Sequence, residues 1–90
     1  KFIKRAGPGY IVDLLDLKDM SQASFELVMP NTAAPTRNRI SVLSPLGSSL
    51  LGLTTGEIGR VNLWGCSCRF QILGIRDSTS VTTKEEQLTP

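Results

Sequence analysis

In Ala23–Met29 the apolar residues Phe25, Leu27 and Met29 alternate with Ser24, Glu26 and Val28, the period-two pattern of a half-buried strand. Upstream, Tyr10–Leu17 is apolar apart from Asp13 and Asp16. A helix would set those acids on one face, but Tyr10, Ile11 and Val12 are strand formers that follow the turn signal Pro8-Gly9. The stretch is therefore predicted as a strand. Lys18–Gln22 is a polar connection of hairpin length, so Tyr10 to Met29 reads as a first hairpin. Pro30–Asn38, with two prolines and short polar residues, is a predicted loop. Strands are expected again at Arg39–Leu43, Ile58–Trp64 and Cys68–Ile75, the last two joined near Gly65-Cys66-Ser67. In the final strand Phe70, Ile72 and Gly74 share one phase, and Leu73 and Ile75 the other.

Between the third and fourth strands the pattern changes. In Ile40–Leu53 a strand runs into Ser44, a helix N-cap residue, and Pro45, whose missing N–H costs nothing at the first helical position. Leu46, Leu50, Leu51 and Leu53 follow, and Gly52 is placed to end the turn in a left-handed conformation. Thr54-Thr55-Gly56-Glu57 is a turn. The expected fold is α+β: a small antiparallel sheet of about five strands with one short helix packed on one face. The opposite sheet face is then solvated or occupied by a partner. Residues 1–9 read as an N-terminal remnant or linker, 10–77 as the domain, and 78–90 as a flexible polar tail offering only Val81 and Leu88 to a core.

Composition narrows function mainly by exclusion. The 90 residues allow one domain with a modest core, and 40% hydrophobic with 20% charged residues is ordinary for a globular fold. A net charge of +2 is too small to imply direct nucleic-acid binding by counterion release. No apolar run is long enough to span a membrane, and Gly7, Pro8 and Gly9 interrupt any signal-peptide stretch, so the expected location is cytoplasmic. The chain has no histidine, which removes the common neutral-pH base and the most frequent metal ligand. Asp13 and Asp16 fall on opposite faces of a strand and read as solvated charge. Cys66 and Cys68 share a strand face, yet two thiolates do not complete a structural zinc shell. Trp64, at a strand end, reads as a core or rim packer. No catalytic residue, metal site or cofactor is assigned.

The run ISVLSPLGSSLLGLTTGE (Ile40–Glu57), followed by RVNLWGCSCRFQILGI (Arg60–Ile75), resembles the C-terminal domain of the Gre transcript-cleavage factors and the related Rnk family. SFELVMP (Ser24–Pro30) is similar to that family's strand before the loop. The resemblance implies an FKBP-like domain that binds RNA polymerase at the rim of the secondary channel. The family's Ser-Pro element lies in that contact, which places Ser44, Pro45 and Leu46 at the partner surface. Only Lys1–Ala6 precede Gly7, so the long coiled-coil arm that serves transcript cleavage in Gre factors is not expected here. Trp64-Gly65-Cys66-Ser67 stands where the family often has a Pro-Gly-Gly turn, and one Trp, one Tyr and three Phe are too few to furnish a prolyl-isomerase pocket. The alternative reading is a general protein-interaction or homo-oligomerisation domain unrelated to polymerase.

Overall fold

A computed structural model describes residues 3–63 and 65–78. Five strands, β1 (Tyr10–Asp16), β2 (Gln22–Val28), β3 (Arg39–Ser41), β4 (Ile58–Leu63) and β5 (Cys66–Asp77), form one sheet in the order β3-β2-β1-β5-β4. The single α-helix, α1 (Pro45–Leu50), lies between β3 and β4 in sequence and packs against both. This is the α+β arrangement expected, with one difference: β3 pairs parallel to β2, so the sheet is mixed. The reason lies in the connection. Residues 30–37 fold into short 3₁₀ turns at Pro30–Thr32 and Pro35–Arg37 rather than a two-residue hairpin, and Asn38, at φ 59°, returns the chain in the direction of β2.

One face of the sheet carries the core. Val12, Leu14, Leu27, Val42, Leu50 and Ile72 are buried together, with Phe25, Ile40, Leu46, Leu53, Phe70 and Ile75 packed around them. Each fully buried aliphatic side chain contributes about 1.5–3 kcal/mol of transfer free energy. Simple alternation put Ile72 and Ile75 on opposite faces, whereas both pack on the core. A register shift explains it: Asp13 pairs with Gly74 and Leu14 with Ile72, so Leu73 is bulged out and the phase inverts. The β4–β5 hairpin is tighter than expected. Leu63 pairs with Cys66, so Cys66 and Ser67 belong to the strand, and Gly65 takes φ +78° in the turn. Trp64 lies outside the described residues.

The first residues, read as preceding the domain, pack against it. Ala6 is 3% exposed within the core. Its N–H donates to Leu53 O at 2.7 Å, and Gly52 N–H donates to its carbonyl at 2.8 Å. At the other end Ser78 is buried, its N–H and hydroxyl both donating to Gly9 O. The polar tail expected at 78–90 therefore does not begin at Ser78, which Gly9 ties to the domain, and residues 79–90 lie outside the described residues. Among the described residues no helix is long and apolar enough to cross a membrane.

Candidate functional site: the corner between β3 and the helix

The chain turns sharply from β3 into α1, and each step of the turn has a local cause. Ser44 N–H and Ser44 Oγ both donate to Ser41 O, at 3.0 and 2.6 Å. Ser44 Oγ in turn accepts from Gly47 N–H at 3.1 Å, satisfying one of the helix's orphan donors. Ser41 Oγ accepts from Leu43 N–H at 2.9 Å. Pro45 occupies the first helical position, as its fixed φ favours. Gly47 is buried against the strand, and a Cβ added there would stand 2.0 Å from Ser41 O. The serines and the glycine of Ser41-Val42-Leu43-Ser44-Pro45-Leu46-Gly47 are thus one stereochemical unit.

This unit sends its apolar side chains in two directions. Ile40 and Val42 face the core, and Leu46 is half-buried against it. Leu43 is 75% exposed, the most exposed of the large hydrophobic residues described, and Pro45 beside it is also exposed. Met29, which follows the last residue of β2, is exposed at the same corner, where Val42 N–H donates to Val28 O. Of the residues predicted to meet a partner, Pro45 therefore lies on the surface and Leu46 lies partly on it. Ser44 has its hydroxyl turned inward as framework. Leu43, the end of the predicted strand, stands outside that set. The signal was present: it is an apolar residue in the outward phase of Ile40-Ser41-Val42-Leu43.

Away from the corner the polar groups pair across strands. Asp13 accepts from Ser24 Oγ at 2.5 Å and from Arg76 Nη2 and Nε at 2.8 and 3.1 Å. Burial, the largest single influence, raises the Asp13 pKa, but the hydrogen bonds from Ser24 and Arg76 with the Arg76 charge together hold it below the ordinary carboxylate value. Glu26 pairs with Arg39 at 3.3 Å across the parallel strands. Asp16, the last residue of β1, accepts from Lys18 N–H in the turn that follows. Cys66 and Cys68 are free thiols, the first exposed and the second half-buried. Among the described residues no group of three or more His, Cys, Asp or Glu side chains gathers to hold a metal ion.

The sequence profile described as "Transcription elongation factor, GreA/GreB, C-term" matches residues 3–77. The chain is 31% identical over 68 residues to transcription elongation factor GreA of Clostridium perfringens, covering 76% of this chain and 43% of that protein. It is 33% identical over 70 residues to GreA of Chloroherpeton thalassium, covering 74% and 44%. Among solved structures, Thermus aquaticus Gfh1 superposes with a TM-score of 0.74 at 26% identity, covering 82% of this chain and 49% of that one. A GreA/GreB elongation factor from Nitrosomonas europaea gives 0.65 at 26% identity, covering 76% and 57%. The chain spans less than half the length of these curated relatives.

Proposed function

The chain belongs to the GreA/GreB C-terminal family of transcription elongation factors, and on that premise we propose that it is a transcription regulator that binds RNA polymerase near the secondary channel. Its FKBP-like domain acts by docking. A cytoplasmic location follows from that partner. The observation that carries this reading is the β3–α1 corner, which holds Leu43 and Pro45 in the open on a turn whose polar groups are satisfied internally. A rigid apolar knob suits a helical partner surface, because little conformational freedom is lost on binding. Ser44 contributes by fixing the turn, Leu46 by anchoring it to the core, and Pro45 with Leu43 by contact.

The test is binding of purified core RNA polymerase to the wild-type chain and to Leu43→Asp and Pro45→Asp. Both side chains are exposed, so each variant is expected to keep the wild-type melting temperature and to bind about tenfold or more weakly. Equal affinity for all three proteins would remove the corner from the interface. No binding by the wild type would remove polymerase as the partner.

A further inference from the structure

The sheet face away from α1 carries a second feature that the corner does not use. Gly59 lies under the helix, where an added Cβ would meet Ser49 O and the side chains of Leu50 and Leu53. Its neighbour Arg60 therefore points to the opposite face. Arg60 pairs in direct register with Arg69 of β5, and both are exposed. Like charges directly opposite across a ladder are destabilising. The other two arginines of this face are each neutralised, Arg39 by Glu26 and Arg76 by Asp13. Among the described residues no acidic group lies within ion-pair distance of Arg60 or Arg69.

The surroundings say which kind of anion fits. Leu17, whose N–H donates to Arg69 O, flanks the pair on one side. The next row along the strands is Leu15, Gln71 and the 48%-exposed Ile58. The two guanidinium groups thus sit in a partly apolar patch at the β4 edge, with no extended basic stripe. Nucleic-acid affinity needs many phosphate contacts, whereas two guanidinium forks beside aliphatic side chains suit carboxylates on a protein. The patch lies on β4 and β5, at the opposite end of the strand order from β3, and on the sheet face away from the helix.

We propose that Arg60 and Arg69 form a second docking site on this domain, for an acidic segment of the same polymerase that the corner engages. This rests on the polymerase-binding reading and adds the chemistry of a second contact. The uncompensated pair is retained at some cost to the sheet because an incoming carboxylate neutralises it.

The experiment uses nucleic-acid-free core RNA polymerase and the full chain, with affinity measured over a range of salt and melting temperature in parallel. Arg69→Glu creates a cross-strand ion pair with Arg60, so its melting temperature is expected to equal or exceed the wild type's. Its affinity is expected to fall about tenfold, with a shallower salt dependence, and adding Arg60→Glu to fall further. Arg69→Lys is expected to lose less than Arg69→Glu. Wild-type affinity and salt dependence in Arg69→Glu would overturn this site while leaving the corner intact. A melting temperature that falls together with the affinity would make the pair structural and overturn it as well. Loss of binding to a single-stranded RNA probe with unchanged polymerase binding would assign the pair to nucleic acid instead. No binding by the wild type would overturn both readings at once.

Discussion

The β3–α1 corner and the helix-free face of the sheet both satisfy their polar groups internally, the corner with neutral bonds between near neighbours and the face with charged pairs drawn from distant strands. In the corner the turn is closed locally: Ser41, Leu43, Ser44 and Gly47, within six residues, satisfy one another, and Val42 N–H ties the turn back to Val28 O. On the sheet face Asp13 binds Ser24 and Arg76, the latter 63 residues away. The corner is a rigid fixture that presents apolar contacts, and the face is a set of pairings that exists only once the sheet has formed. A local unit is designed by its own residues, while a distributed one depends on register. The consequences of disturbing each differ accordingly in size.

The largest effect is expected at Gly47. An alanine in the middle of an ordinary helix is about 1 kcal/mol better than glycine. Here the added Cβ would stand 2.0 Å from the Ser41 carbonyl, part of the backbone and unable to swing aside. Gly47→Ala should therefore destabilise the domain by about 2–4 kcal/mol in urea unfolding, the usual cost of overpacking and somewhat more. It should also weaken polymerase binding, because the knob moves with the helix. Wild-type stability in this variant would mean that the corner yields, and rigidity would no longer distinguish it from the sheet face.

Ser44 comes next. Removing its hydroxyl leaves Gly47 N–H without its cap and takes one of two donors from Ser41 O, so Ser44→Ala should cost about 1–2 kcal/mol. Ser44→Asp sharpens the point. The carboxylate keeps the acceptor for Gly47 N–H and loses the donor to Ser41 O, which it now faces with negative charge. If the aspartate matches the serine in thermal unfolding, the capping bond alone matters. If it matches the alanine, the bond back to the strand matters equally.

The same contrast in range explains what could be read from the sequence. The helix start at Ser44-Pro45 and the left-handed Gly52 after it were legible because the signals are local and stereochemical. Strand positions followed from alternation, with ends off by at most two residues. Three features were not legible. The bulge at Leu73 inverts the phase of β5, and alternation carries no warning of it. The parallel pairing of β3 depends on how Pro30–Arg37 folds. The docking of Ala6 against Leu53 joins segments far apart in the chain, so a short run before Gly7 looked like a remnant. The outward Leu43 was a different omission, a residue correctly placed near a strand end whose facing was not followed through.

The smallest effect is expected from Asp13, and it is the one that pH resolves. Asp13 is 29% exposed and Arg76 53% exposed, so solvent weakens their attraction, and the asparagine of Asp13→Asn can still accept from Ser24. The loss at neutral pH should be about 1 kcal/mol. Its sign with pH follows from the lowered pKa. The folded protein holds the Asp13 proton less tightly than the unfolded chain, whose value lies near 3.8. The carboxylate's contribution is thus complete above the unfolded value and is lost as pH falls through the folded one. Urea unfolding of wild type and variant should differ by a constant amount from neutral pH down to about 5 and converge below the unfolded value. A difference that persists undiminished in strong acid would mean that Asp13 acts by shape and hydrogen bonding alone. The sheet face would then resemble the corner in being held by geometry rather than by charge.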